Sequence, residues 1–186
     1  MSVPVLRKAR IVRGRSIVLR NATTTDAAFI VALRTDESRS QHVSKTSPAL
    51  SDQEAWLLRY ATRSDEAYFI IESQTGEAWG TVRLYDAMGD SFCWGSWIMK
   101  SGAPSMAAIE SAMLVYSYAL DHLGFAQAHF QVRKDNERVW MFHERFGAAR
   151  VAERDDEYDY SISHSAIRKS MQRYSRYLPE HVAVEN

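Results

Sequence analysis

Two stretches of the sequence carry residues whose types and spacing could do chemistry. In the first, a strand-like segment runs through Lys100 into the small-residue loop "SGAP" and then into a helix. A helix that begins after such a loop presents unpaired backbone N–H groups, which can bind phosphate. Gly102 permits unusual backbone angles, and Pro104 suits the entry to a helix. The stretch therefore predicts a phosphate site over residues 100–107.

The second stretch, "VRKDNERVWMFHERFGAAR" (132–150), places an asparagine and a histidine on a helix directly after a strand-like segment. Asn136 stands at the helix start and His143 follows seven residues later, about two turns, so both side chains point to one side. Free histidine has a pKa of about 6.5 and can hold or give a proton near neutrality. His143 is therefore a candidate acid, and the alternative is that it only packs.

Hydrophobic periodicity predicts the elements that position these residues. The predicted strands are 16–23, 67–73, 78–86, 91–100, 126–133 and a strand with a turn or bulge within 148–163. The predicted helices begin after Thr24 or Thr25, at Ser51 with Glu54 in capping-box spacing, at Ser105 and at Asn136, with an amphipathic helix near the C-terminus. This order predicts a mixed sheet, antiparallel at first and with parallel pairing later.

Composition limits the classes of function. The 186 residues suit one domain, and 23 Lys and Arg balance 23 Asp and Glu, so no basic field predicts a nucleic-acid or membrane partner. The N-terminal residues are basic but lack the apolar core of a signal peptide, which predicts a cytoplasmic location. The single Cys93 excludes an internal disulfide and a multi-cysteine zinc site, and no metal is expected.

The two stretches, in this order of elements, resemble the GNAT superfamily of acetyl-CoA-dependent N-acetyltransferases. That family has a pyrophosphate loop opening its long third helix and a later motif close to Asn-x-x-Ala-x-x-x-Tyr-x-x-x-Gly-Phe. Here Asn136 matches the asparagine, Val139 takes the alanine place and His143 the tyrosine place. Gly147-Ala148 takes the place of Gly-Phe, and the resemblance covers about residues 16–162.

The resemblance implies an α/β (α+β) fold with a mixed, mainly antiparallel central sheet flanked by helices. It implies a basic leader (1–15), an acetyltransferase domain (16–162) and a C-terminal helical tail (163–186), with acetyl-CoA as co-substrate. The loop lacks the family's first Gln or Arg, so backbone amides are expected to hold the pyrophosphate, and His143 to protonate the leaving thiolate. The implied cofactor contacts are Trp97, Ile98, Met99, Lys100, Ser101, Gly102, Ala103, Pro104, Ser105, Met106, Ala107, Asn136 and Val139.

The acceptor amine must lose a proton before it attacks a thioester. Glu72 is the predicted base, with His129 as another candidate, and the predicted substrate contacts are Arg34, Arg83, Tyr85, Trp94 and Ser96. The "RTDES" patch and the aromatic-rich strands resemble the branch that acetylates nucleotide-linked amino sugars in surface-polysaccharide pathways, such as pseudaminic-acid biosynthesis. Arg34, Arg39, Lys45 and Arg83 would then meet a diphosphate, and Trp94 and Trp97 would flank the sugar or base.

Two alternatives stay open at this point. One is an acetyltransferase of the ribosomal-protein alanine type, which acts on a peptide N-terminus and needs an open groove. The other is a catalytically inert acyl-CoA-binding module, which the degenerate loop favours. The expected partner is a small-molecule amine, and the chain is expected to be a monomer or a homodimer.

Overall fold

Nine strands form one mixed sheet within residues 3–186, the part of the chain that the computed structural model describes. The strands are β1 Ile11–Arg13, β2 Ile17–Asn21, β3 Ala67–Ser73, β4 Ala78–Met88, β5 Ser91–Met99, β6 Gln127–Arg133, β7 Ala149–Glu153, β8 Glu157–Ile162 and β9 Ala183–Glu185. Their spatial order is β7-β8-β6-β5-β4-β3-β2-β1-β9. The β5–β6 pair is parallel and the other pairs are antiparallel. The predicted mixed, mainly antiparallel fold is confirmed.

Helices cover both faces of this sheet. They are α1 Ala27–Thr35, α2 Glu37–Ser40, α3 Leu50–Thr62, α4 Ser105–Ser117, α5 Glu137–Phe146 and α6 His164–Arg173. Strand β3 is buried throughout, and its side chains alternate between the two faces. Tyr68 and Ile70 pack in the cluster with α1 and α3, whereas Phe69 and Ile71 pack in the larger core that includes α4. No helix within residues 3–186 has the length and apolarity that a membrane crossing needs.

The parallel β5–β6 pair opens into a cleft. The two strands pair for three residues, from Ser91 to Cys93 opposite Gln127 to His129. Beyond this point β5 carries a bulge, because the stretch between Thr81 and Arg83 of β4 faces one more residue on β5. Ser96 lies at the bulge with a φ of 47°, and a bulge increases strand twist. The chain therefore leaves β5 and β6 on diverging paths, into α4 and α5.

Two short strands correct the expected leader and tail. Strand β1 lies in the segment predicted as a basic leader, and β9 lies in the predicted helical tail; the two pair at the sheet edge. Leu6, Ala9 and Val12 are buried in the core. Three-residue strands are too short to show a periodicity, so the sequence pattern missed them. Residues 1–2 of the predicted leader lie outside the described residues.

The predicted start of α3 is also wrong. The helix begins at Leu50 with Ala49 at the N-cap position, so Ser51 lies inside the first turn and forms no capping box. Ser47 accepts a hydrogen bond from the Ala49 amide at 3.2 Å and donates to Asp52 at 2.6 Å. The polar segment before α3 therefore stabilises the start of this helix through Ser47.

Gly147 ends α5 with a φ of 107°, and a Cβ at this position would lie 3.2 Å from the Ala166 Cβ of α6. Gly147→Ala should therefore lower the free energy of unfolding by about 1 kcal/mol for the backbone angle, and further for the contact. Gly76→Ala is the matched control, because Gly76 has a φ of 90° with nothing within 4 Å of its Cβ position. Equal losses for both variants in urea denaturation would contradict this account of the α5–α6 contact.

Candidate active site

Three adjoining cavities run across the cleft. The groove cavity, of about 860 Å³, lies between the end of β5 and α5 and is lined by Met99, Ser105 and Phe142 among others. The junction cavity, of about 110 Å³, lies where β5 and β6 separate and includes Trp94, Phe130 and His143. The cationic cavity, of about 340 Å³, lies beyond β5 and includes Arg34, Lys45, Trp56, Arg59 and Arg83.

The junction cavity adjoins the other two, because it shares lining residues with each of them. The groove and junction cavities both include His42, Trp97 and Asn136. Ser96, at the β5 bulge, lines both the junction and the cationic cavity. A ligand that extends from the groove cavity into the junction cavity would therefore reach Ser96, where the cationic cavity begins.

The predicted phosphate loop lies at the outer end of the groove. Gly102 has a φ of 79°, and a Cβ there would meet open space. No side chain within residues 3–186 caps α4, and the Ala107 amide donates to the Pro104 carbonyl at 2.9 Å, which leaves the amides of Ser105 and Met106 for an anion. Lys100 is directed elsewhere, since its Nζ pairs with Glu77 at 2.8 Å. Of residues 100–107, Ser105 lines the groove cavity, and Arg39 donates to the Ser101 hydroxyl at 3.2 Å across its mouth.

The structure brings the residues of the second stretch together. Asn136, Val139 and His143 line the junction cavity from one side of α5, as their spacing predicts. Asn136 occupies the N-cap position, and its carbonyl accepts from Val139 and Trp140. Its side-chain amide makes no capping bond, contrary to the usual role of an N-cap asparagine. The amide is therefore available to a ligand in the groove.

His143 lies in an aromatic shell. Its ring centroid is 4.1 Å from that of Phe130 and 5.2 Å from that of Trp94, and the residue is 5% exposed. Its buried Nδ1 has no hydrogen-bond partner among the described residues. Burial alone lowers the pKa of His143 to about 3, because the shell offers nothing to stabilise an imidazolium. His143 thus lies on the side of α5 that its spacing predicts. The expectation that it holds a proton near neutral pH is corrected, because burial disfavours its protonated form.

Cations dominate the lining of the cationic cavity. Arg34, Lys45, Arg59 and Arg83 face one lining carboxylate, that of Asp52. Arg83 pairs with the buried Glu66, which offsets its charge, and Arg34 binds Ser44 and Thr46 of the neighbouring loop. Lys45 and Arg59 are exposed, and neither pairs with a carboxylate within residues 3–186, so both can meet a ligand. The predicted contacts Arg34, Arg83 and Ser96 are thus brought together here.

Three other predicted site residues have different surroundings. Glu72 points to the α1–α3 face, where its carboxylate accepts from Arg20 at 3.0 Å beside Asp26, and it lines none of the three cavities. A base committed to an ion pair away from the cleft cannot reach the amine, so this prediction is corrected. Tyr85 lies under the Arg83 guanidinium, 4.7 Å from its ring centroid, outside the cavities. Trp94 is buried and donates to Tyr116, so it supports His143 and cannot stack on a sugar.

Helix α3 supplies site residues that the sequence pattern did not identify. Asp52, Trp56 and Arg59 lie on one face at spacings of four and three residues, and all three line the cationic cavity. His42 was also missed, in the loop before α3. The sequence signal for the α3 residues was a polar helix face that carries one tryptophan, next to the predicted substrate segment. It could have been found by asking which face of α3 was not apolar.

Comparison with known proteins gives one family. The model of the acetyltransferase (GNAT) domain matches residues 16–149. Apo FdhC, described as a nucleotide-linked sugar GNAT, is 34% identical over 96% of this chain and 100% of that chain, with a TM-score of 0.81. The resemblance of the sequence to that branch is confirmed. No curated protein matches.

More distant solved structures share the fold. A GCN5-related N-acetyltransferase from Brucella melitensis is 18% identical over 96% of this chain and 90% of that chain, with a TM-score of 0.78. The spermidine N-acetyltransferase from Vibrio cholerae, in complex with CoA and spermine, is 16% identical over 82% of this chain and 98% of that chain, with a TM-score of 0.70. At these identities the likeness concerns the fold alone.

The loop at Gly102 should determine binding of acetyl-CoA through its backbone. Gly102→Val places a branched residue at a φ of 79° and should weaken binding about tenfold or more, since the backbone penalty is about 1–2 kcal/mol. Lys100→Ala should change the dissociation constant about twofold at most, because Nζ is paired with Glu77. Isothermal titration calorimetry measures both, with Gly89→Val at the remote β4–β5 turn as control. Equal weakening by the Gly102 and Lys100 variants would favour a side-chain phosphate site.

The buried His143 should make stability depend on pH. Because its pKa is lower in the folded chain, the unfolded chain takes up the proton first as pH falls below about 6.5, and stability is lost down to about pH 3. Wild type should lose about 1 kcal/mol more per pH unit than His143→Phe between pH 6 and 4. Urea denaturation at several pH values measures the slopes, with His122→Phe as control for loss of an exposed histidine. Parallel slopes for wild type and His143→Phe would refute the buried neutral state.

Proposed function

This chain belongs to the GNAT family of acetyltransferases, which use acetyl-CoA, and we propose that its acceptor is the amino group of a nucleotide-linked sugar. The similarity to FdhC, described as a nucleotide-linked sugar GNAT, supports this acceptor class. The predicted cytoplasmic location stays a prediction.

The charge of the cationic cavity is the observation that carries the proposal. Lys45 lies in the loop before α3 and Arg59 in the last turn of α3, and both are exposed and line the cavity. Guanidinium and ammonium groups bind diphosphates through charge-assisted hydrogen bonds. Trp56 adds an aromatic wall next to them. An acceptor that carries a diphosphate fits this lining better than a neutral or cationic one.

The same lining opposes a polyamine acceptor. Spermidine and spermine are polycations, and three unpaired or weakly paired cations in one small cavity would repel them. The one lining carboxylate, Asp52, already accepts from Ser47. The spermidine N-acetyltransferase neighbour therefore gives the fold and not the acceptor. A peptide N-terminus remains the runner-up, because it needs less charge complementarity.

Each of the three cavities would have one task. The groove cavity holds the cofactor arm, with its pyrophosphate on the α4 amides and the Asn136 amide beside the arm. The separated β5 strand offers its backbone at Trp97–Met99. Ser96 marks the crossing at which the amine meets the thioester. His143, neutral at the working pH, would donate an N–H hydrogen bond toward the sulfur, because an imidazolium is too costly in the aromatic shell.

The acceptor class is tested by release of free thiol from acetyl-CoA with a panel of amines. We expect turnover with UDP-, dTDP- or GDP-linked amino sugars and little with spermidine or peptide amines. Arg59→Ala should raise KM for the nucleotide-linked sugar about tenfold, the typical effect of one charge-assisted contact of about 1.5 kcal/mol, and leave acetyl-CoA binding unchanged. Arg173→Ala, an exposed arginine on α6, is the matched control.

Other outcomes separate the alternatives. Thiol release with peptide amines and with none of the nucleotide sugars would overturn the proposed acceptor while the acetyl transfer stands. Binding of acetyl-CoA without turnover of any amine would support the inert acyl-CoA-binding module.

A further inference from the structure

We propose that His42 is the general base that removes a proton from the acceptor amine, with Asp135 as its positioning residue. The proposal deepens the proposed function and rests on it, because the cationic cavity must deliver the amine to this point. It replaces Glu72, which the fold commits to Arg20.

The loop between α2 and α3 places His42 at the crossing. His42 and Val43 line the groove and junction cavities, and the next four residues, Ser44–Ser47, line the cationic cavity. One continuous loop therefore spans the donor and acceptor sides. His42 is the titratable side chain of this loop on the donor side, and its side chain is one-quarter exposed. It can thus exchange its proton with solvent after each turnover.

Asp135 lies against His42 from the opposite rim. Its Oδ1 is 3.2 Å from His42 Nδ1, in the turn between β6 and α5. The two groups are not aligned for a hydrogen bond in this structure, so the contact becomes an ion pair when the imidazole takes a proton. The Arg133 guanidinium lowers the pKa of Asp135, and His42 adds to this, so the carboxylate stays charged. The contact also leaves His42 Nε2 as the nitrogen that can face the amine.

Competing proton acceptors at the junction cavity are few. His143 is buried among aromatic rings, and its Nδ1 has no hydrogen-bond partner in the part of the chain that the structure describes. Glu157 lines the cavity from β8, where it is the cross-strand partner of Arg133. Glu157 is therefore the rival base. The charged or titratable groups that face this corner are Arg39 of α2, Arg133 of β6, Asp135 of the turn, Glu137, Arg138, His143 and Arg145 of α5, and Glu157 of β8.

The proton balance of the step closes. The ammonium form of the acceptor gives one proton to His42 Nε2, and the free amine nitrogen forms a bond to the thioester carbonyl carbon. The carbon–sulfur bond then breaks, the amide nitrogen loses its second proton, and the thiolate gains one. His42 returns its proton to solvent, so each cycle yields an amide, a thiol and one proton.

The test is the pH dependence of kcat/KM with whichever amine of the panel turns over. His42→Gln should lower kcat/KM about 100-fold or more near neutrality, and the loss should shrink as pH rises, because more of the amine is already deprotonated. Asp135→Asn should give a smaller loss and displace the same limb of the profile. His122→Gln, an exposed histidine outside the site, should match wild type. Acetyl-CoA affinity of the His42 variant should stay within about twofold of wild type.

Three results would overturn the proposal. His42→Gln could keep the wild-type rate and profile. It could lose acetyl-CoA affinity in parallel with rate and with an unchanged profile, which would make His42 a cofactor contact. Glu157→Gln could show the large, pH-dependent loss instead. Failure of the proposed acceptor would appear separately, as turnover confined to other amines, and the His42 test would still be decided with those amines.

Discussion

The whole site depends on the short parallel pairing of β5 and β6. Three residue pairs hold the strands together, and the bulge at Ser96 then turns β5 away while α4 and α5 take the two chains apart. In a continuous sheet, β6 would pair with the backbone groups of β5 beyond this point. The separation leaves those groups for a ligand. The first turns of α4 and α5, the aromatic shell around His143 and the loop between α2 and α3 all lie around this one separation.

The separation also creates two environments that differ in their electrostatics. One is aromatic and apolar, and the other is cationic. On the donor side, Phe130, Trp94 and Trp97 surround His143 and keep it neutral. On the acceptor side, lysine and arginine side chains from separate segments meet around Trp56. Ser96 lines both cavities, and under the proposed function proton transfer and acyl transfer would take place next to it. His42 and Asp135 bridge the two rims.

Much of the fold could be predicted from the sequence because most elements are long and strongly patterned. The strands at Ala67–Ser73, Ala78–Met88 and Ser91–Met99, and the α5 face with Asn136 and His143, follow from periodicity and turn residues. The pairing of β1 with β9 could not be predicted, since it joins three-residue segments far apart in sequence. The protonation of His143 depends on rings contributed by β5, β6 and α5, which no local pattern reveals. Of the cations that line the cationic cavity, Arg34, Lys45 and Arg83 were predicted, whereas Arg59 was missed because it lies on the polar face of α3.

The most direct test of the central claim is a crystal structure with coenzyme A and a nucleotide-linked amino sugar bound together. The account predicts the thiol at the junction cavity beside His143, the diphosphate against Lys45 and Arg59, and the amino group between Ser96 and His42. A diphosphate bound away from Lys45 and Arg59, or a sugar amine that does not reach Ser96, would contradict it.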